Sequence, residues 1–214
     1  MEDLKSKMVK FGPKESQKVL ILDMDETLIH AAFHNETYEE LENQCLGYIP
    51  GEGEGECDQF NLLLGSSNQH QDKYVRLNVK VRQHMEEVLQ YLATLYEICV
   101  FTAGEQDYAD AILDFIDEDR TIIKHRLYRH HCVKAAPRVY IKDLRIIEDR
   151  ELKDMIIVDN SVVSFIFNMS NGVPISDFRG QKSDDELMFM VSYLEEIFGA
   201  DDVRKPIAKT FKLE

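Results

Sequence analysis

Three short apolar runs constrain this chain most. Each is continuous rather than alternating, and each stops at polar residues: VLIL runs into Asp23 and Asp25, ICVF into Thr102, and MIIV into Asp159 and Asn160. A strand that is apolar at every position has to be buried on both faces, as in a parallel sheet covered on each side. Between the runs, apolar residues recur at helical spacing. In RQHMEEVLQYLATLY they are Met85, Val88, Leu89, Leu92 and Leu95. QDYADAILDFID is a second such segment, and SDDELMFMVSYLEEIFG a third that opens at a Ser-Asp-Asp cap region. The alternation predicts an α/β fold, a Rossmann-like, mostly parallel sheet flanked by helices with right-handed crossovers. Ligands in such folds sit beyond the carboxyl ends of the strands, so the polar residues closing the three runs are predicted to share one cleft.

Residues 31–72 break this rhythm. YEELENQ, GEGEGECD and SSNQHQD are acidic, glycine-bearing or polar, with only short apolar pieces such as Phe60–Leu64. Glu52, Glu54 and Glu56, spaced by glycines, cannot build a core. The stretch is predicted to be an exposed loop or a small inserted β-subdomain after the first strand. YVRLNVKV at 74–81 alternates and predicts a strand with one wet face. Residues 1–17, polar with a Gly12-Pro13 breaker, are expected to be a flexible lead-in, 18–205 the folded domain and 206–214 a tail. His30 and His34 are expected on a loop.

Charge and hydropathy exclude several classes. Forty acidic against 25 basic residues give a net charge of −15. That field repels nucleic acid and anionic membrane surfaces, although local cations in a cleft can still hold a phosphate. No apolar run approaches the ~18 residues of a membrane span, and MEDLKSKMVKFGPKESQK lacks the apolar segment of a signal peptide. The expectation is an intracellular, soluble protein, nuclear or cytoplasmic, with a monomer as the simplest state. Cys45, Cys57, Cys99 and Cys132 form no CxxC pair, and Cys99 is expected as a small core residue. His125, His130 and His131 match no structural-zinc spacing.

Asp23 and Asp25, two apart, face the same side of an ideal strand. Burying two like charges together is costly, and one would take up a proton. A divalent cation relieves the cost, and Mg²⁺ takes a few carboxylates together with waters and a substrate phosphate. With Asp159 as a further carboxylate, the strand ends predict an Mg²⁺ cleft for a phosphoryl group. Taken singly, each signal has a plainer reading. A DxD pair can cap the next helix, Lys142 can be a solvated lysine, and Asn160 a turn residue. Thr27 is expected to bond backbone in the turn after Asp25.

DMDET resembles the DxDx[TV] signature of haloacid-dehalogenase-like phosphotransferases. More narrowly, LDMDETLIH, FTAGEQDYAD, HRLYRHHCV, YIKDLRIIEDRELKDMIIVDNS, VPISDF and SDDEL are similar, in order over about residues 18–205, to the small C-terminal-domain (NLI-interacting-factor-like) phosphatases, which act on phosphoserine in the tail of RNA polymerase II. The resemblance implies a Mg²⁺-dependent protein serine/threonine phosphatase with a phosphoprotein as partner. Asp23 would be the nucleophile that forms an aspartyl-phosphate, and Asp25 the general acid/base. Thr102 and Lys142 would hold the phosphoryl group. Mg²⁺ would lie on Asp23, the Asp25 main-chain carbonyl and Asp159, with Asn160 close by. Arg129 would contact substrate or a second phosphate, while Phe33 and Tyr108 would form an apolar pocket for a substrate proline. The chain departs from the family pattern in Arg82-Gln83 for Arg-Pro, in FTAG for FTAS, and in the acidic stretch 36–58, which leaves substrate identity open. Three rivals share parts of this pattern: an inactive scaffold of the same fold, a small-metabolite phosphatase, and a receiver-type phosphoacceptor domain, to which the DxDxT spacing is ill suited.

Overall fold

In the computed structural model, which describes residues 2–36, 47–51, 57–64, 74–181 and 183–213, the three apolar runs lie side by side. They are β1 (Val19–Leu22), β6 (Glu97–Phe101) and β10 (Met155–Asp159). With β7 (Ile123–Leu127) and β11 (Gly172–Pro174) they form a parallel sheet in the order β11-β10-β1-β6-β7. Every residue of the three central strands is buried. Alternate side chains go to opposite faces, as the two-residue period of a strand demands. Leu20, Leu22, Ile98, Val100, Ile156 and Val158 enter one core, and Val19, Ile21, Cys99, Phe101, Met155 and Ile157 enter the other.

The first face is covered by the amphipathic segments read from the sequence. They form α2 (Met85–Leu92), α3 (Gln106–Ile116) and α4 (Glu186–Phe198), α1 being a single turn at Glu2–Lys5. Met85, Val88, Leu89, Leu92, Ile112, Leu113, Leu187, Met190 and Leu194 are packed against the strands there. On the second face the cover is irregular, made by 3₁₀ turns at Leu144–Ile146 and Val162–Asn171 that bring in Leu144, Ile146 and Phe165. No described helix is long and apolar enough to cross a membrane.

The insertion is a sheet rather than a loop. β2 (Ile29–Glu36), β3 (Gly47–Ile49), β4 (Gln59–Leu64) and β5 (Tyr74–Val81) are antiparallel, in the order β2-β5-β4-β3. Phe60, Leu77 and Val79 join the main core, while Gln59, Asn61, Arg76 and Asn78 bond to one another on the other face. His30 and His34 stand on β2, correcting their expected place on a loop. Glu52, Glu54, Glu56, Cys45 and most of the acidic stretch lie outside the described residues.

Both chain ends pack more than the sequence suggested. Leu4, Met8, Val9 and Phe11 lie against the second core, and the Val9 N–H donates to the Ile146 carbonyl at 2.8 Å. The Asp149 carboxylate accepts the Phe11 and Gly12 N–H groups, and the Phe11 ring stacks on His125 at 3.7 Å. These apolar residues are scattered among lysines without a sustained period, so no local pattern announces them. Residues expected as a tail carry most of α5 (Arg204–Phe211), whose Ile207 is buried.

Candidate active site

The site begins where β1 ends. Asp23 still donates its N–H to the Val158 carbonyl at 2.9 Å, which extends the parallel ladder by one step. The chain then turns sharply through Glu26, whose φ of 62° lies in the left-handed region, and the Leu28 and Ile29 N–H groups return to the Met24 carbonyl at 2.9 and 3.1 Å. Both Asp23 and Asp25 end in one open cleft of about 720 Å³ at the carboxyl edge of the sheet. Phe33, Tyr108, Arg129, Lys142, Asp159 and Asn160 line the same cleft, so almost every residue singled out in the sequence meets there. Thr102 stands one bond behind it.

Two carboxylates share one ammonium. The Lys142 Nζ donates to an Asp23 oxygen and, at 2.7 Å, to Asp159 Oδ2. Lys142 is held by its own N–H, which donates to the Ser164 carbonyl at 2.6 Å. The other Asp159 oxygen accepts the Ser161 N–H at 2.8 Å. Asp23, Lys142 and Asp159 are all buried. Burial raises the Asp23 carboxyl to about 7 despite the lowering effect of Lys142, with Asp159 adding to the rise. For Lys142, burial alone would depress the ammonium, but the Asp23 and Asp159 carboxylates outweigh it and hold the group above its ordinary value.

Asp25 lives in different surroundings. The Tyr108 hydroxyl donates to its Oδ1, and Thr102 Oγ1 donates to its Oδ2 at 3.2 Å. Burial pushes its carboxyl up, while these two hydrogen bonds pull the other way. Thr102 Oγ1 also accepts the Gly104 N–H at 2.8 Å, so this hydroxyl ties Asp25 to the loop after β6. Phe33, 61% exposed, stacks on Tyr108 with ring centres 5.5 Å apart.

Thr27 differs from expectation. Its hydroxyl donates to Asp23 Oδ2 at 2.9 Å instead of bonding backbone in its turn, and it accepts the Asn160 N–H at 3.3 Å. Asn160 donates its amide to Asp177 Oδ1 at 2.9 Å. Arg129 lies on the cleft wall with its Nε on the Ala103 carbonyl at 2.6 Å, its Nη1 on Glu105 at 2.6 Å, and its guanidinium over Tyr140. It braces the loop after β6.

Sequence reasoning missed Arg138, Tyr140 and Ser164, which also line the cleft, and the Arg82 clamp. Arg82 is 1% exposed. Its guanidinium donates to both Asp184 oxygens at 2.8 and 2.9 Å, to the Thr27 carbonyl at 2.9 Å and to the Ser176 carbonyl at 2.9 Å. It thereby holds the turn that carries Thr27. An arginine just before a helix has no local mark of burial, and the only hint was its place in the Arg-Gln departure.

The donor chemistry suits a hard cation. Three carboxylates, Asp23, Asp25 and Asp159, line the cleft floor with one buried ammonium, and burial, with Asp159 adding to it, holds the Asp23 carboxyl up. Asp23 and Asp159 both reach a single Nζ, so their oxygens are close enough to share an ion. Among the described residues no three His, Cys, Asp or Glu side chains are grouped so as to hold a metal ion by themselves. Mg²⁺ asks for one or two carboxylates plus waters and phosphate oxygens and fits this set, whereas a structural zinc does not.

Comparison with known proteins agrees with this geometry. Residues 18–204 match the family described as NLI interacting factor-like phosphatase. A CTD small phosphatase-like protein 2 of Dictyostelium discoideum is 35% identical over 208 residues, 96% of this chain and 32% of its own length. A CTD nuclear envelope phosphatase 1B of Danio rerio is 32% identical over 195 residues, 90% of this chain and 72% of its own length. The fold is like that of the fission yeast RNA polymerase II CTD phosphatase Fcp1 bound to beryllium fluoride, with a TM-score of 0.55 at 20% identity over 90% of this chain and 53% of that one. The chain spans 32% and 53% of the length of two Dictyostelium relatives. The matched region takes in all three strand ends, Lys142 and both partners of the Arg82–Asp184 clamp, and on that extent the chain belongs to the NLI interacting factor-like phosphatase family.

Proposed function

We propose that this chain is a Mg²⁺-dependent protein serine/threonine phosphatase that works through an aspartyl-phosphate on Asp23, with a phosphoprotein such as the RNA polymerase II C-terminal tail as substrate. One observation carries the reading. Two neighbouring carboxylates, two residues apart, sit in opposite chemical settings within one cleft: Asp23 on Lys142, Asp25 on Tyr108 and Thr102. Environments that divide paired carboxylates divide their roles as well.

Asp23, held by Thr27 and Lys142, is aimed to attack phosphorus in line. As the new bond to Asp23 forms, the bond from phosphorus to the serine oxygen breaks, and the proton of Asp25 passes to that leaving oxygen. Asp25, now a carboxylate, takes a proton from a water whose oxygen attacks the aspartyl-phosphate. Inorganic phosphate leaves and Asp23 is regenerated. Lys142 offsets the charge on the phosphoryl oxygens throughout, and such stabilisation is the main demand of phosphoryl transfer. Asp23, Asp159, the Asp25 main-chain carbonyl and Asn160 would hold Mg²⁺, whose charge balances that of the phosphate. The exposed Phe33 ring, stacked on the partly buried Tyr108 beside Asp25, offers an apolar rest for a polypeptide.

The test is multiple-turnover hydrolysis of p-nitrophenyl phosphate in Mg²⁺, abolished in Asp23→Asn, followed by rates on phosphopeptides against sugar phosphates. Pure wild-type protein that hydrolyses nothing would be a scaffold. Faster sugar-phosphate turnover would make it a metabolite enzyme. Beryllofluoride found on a residue other than Asp23 would overturn the nucleophile.

A further inference from the structure

Three cations line the cleft: Lys142, Arg129 and Arg138. Lys142 donates to Asp23 and Asp159, and Arg129 is engaged with Ala103, Glu105 and Tyr140. Among the described residues, Arg138 has no hydrogen-bond, ion-pair or aromatic partner, and its side chain is exposed. Its backbone is also unusual. Arg138 closes the tight turn between β8 (Val133–Ala136) and β9 (Val139–Ile141) with φ 64°. In a chain of net charge −15, an unpaired guanidinium at the mouth of an acidic cleft points to a ligand that brings its own negative charge.

Resting on the phosphatase reading above, we infer that Arg138 is a specificity-determining residue that binds a second anionic group on the substrate polypeptide, an acidic side chain or another phosphate near the scissile phosphoserine. The ribbon fixes the separation. Arg138 lies four residues before Lys142, whose Nζ marks the phosphoryl position, so their backbones are roughly 13 Å apart at the rise of an extended strand. An extended peptide covers that span in about four residues. Arg129, which the family resemblance suggested for this task, spends its Nε and Nη1 on the protein.

The experiment measures kcat/KM in Mg²⁺ for phosphoserine peptides that carry, three to five residues to either side, a neutral residue, Glu or a second phosphoserine. It uses wild type, Arg138→Ala, Arg138→Gly, Arg138→Lys and Arg129→Ala. The wild type is expected to prefer an anion-bearing peptide over its neutral counterpart by about tenfold, mostly through KM. Arg138→Ala and Arg138→Gly should bring that ratio close to one, and Arg138→Lys should restore part of it. The Gly variant suits the left-handed turn, so loss of preference there is not a folding defect. A wild type with no preference, or a preference that survives in Arg138→Ala and disappears only in Arg129→Ala, overturns the assignment. The flanking Glu and phosphoserine arms tell which anion the site takes. A wild type that hydrolyses no phosphate ester at all refutes the phosphatase reading itself, which is a different result from hydrolysis without preference.

Discussion

Replacing Arg82 by Met tests the clamp beneath the site. The arginine side chain is 0% exposed and that of Asp184 6%. Methionine keeps much of the volume but removes four hydrogen bonds, two to Asp184 and one each to the Thr27 and Ser176 carbonyls. The chief cost is the Asp184 charge left buried without its partner, which is worth about 3–5 kcal/mol. Each orphaned carbonyl adds up to about 1 kcal/mol, less where water can reach it. The expected loss is therefore about 3–7 kcal/mol. Against a total stability of roughly 5–15 kcal/mol, that is a large fraction. It lowers Tm by about 6–28 °C for a chain of this size. Urea unfolding at pH 7, followed by circular dichroism, measures it as a shift of midpoint at unchanged slope. The double variant Arg82→Met/Asp184→Asn separates the lone charge from lost packing. Asparagine keeps an oxygen for the Glu186 N–H, which Asp184 accepts at 3.2 Å. The double variant should recover about 1–2 kcal/mol of the loss. A single variant that loses less than about 1 kcal/mol, or a double variant no more stable than the single, would refute this account of the clamp.

Asp25→Asn should slow hydrolysis of a serine phosphate by about 10²–10⁴ and that of p-nitrophenyl phosphate far less, because nitrophenolate leaves without a proton. Equal losses on both substrates would contradict the acid role. His131 gives a pH dependence. Burial, with the neighbouring His130 adding to it, lowers its imidazole to about 4, against 6.5 ordinarily. The folded value lies below the unfolded one, so the unfolded chain takes the proton first. The stability contributed is full above about pH 6.5 and is lost as pH falls towards 4. The urea-midpoint gap between wild type and His131→Gln should therefore narrow from pH 7 to pH 5, and a constant gap would sink the assignment. Gly172→Ala should cost about 1–3 kcal/mol, because its Cβ would enter the ring of Phe165, which is 0% exposed. Adding Phe165→Leu should return part of the loss, and thermal melting that shows no change in Gly172→Ala would disprove the contact.

The sheet was readable because burial on both faces leaves a mark on every residue of β1, β6 and β10, and the polar residue ending each run shows where the sheet meets solvent. Asp23, Asp25, Thr102 and Asp159 followed from that boundary alone. Lys142 did not, since it follows a three-residue strand with no pattern of its own, and it came from the resemblance of YIKDL. Arg82 and Asp184 were invisible as partners. They lie 102 positions apart, and a charged side chain carries no local sign of being buried. The insertion was recognised as different, but its four-stranded pairing depends on contacts between segments that look polar one at a time. The N-terminal residues were misjudged for the same reason, because their scattered apolar side chains find their partners only in distant segments, the second core and His125 on β7 among them.

The amino-acid order by itself determined that this chain forms a parallel α/β sheet and that acids stand at its carboxyl edge, because local hydrophobic pattern decides which residues must leave water. Tertiary structure alone decided that Asp23 and Asp159 meet on one ammonium, that Thr27 bonds the Asp23 carboxylate, and that Arg129 is engaged while Arg138 has no partner among the described residues. Those are questions of direction and distance between segments far apart in the chain, and they are fixed only when the two cores close around the sheet.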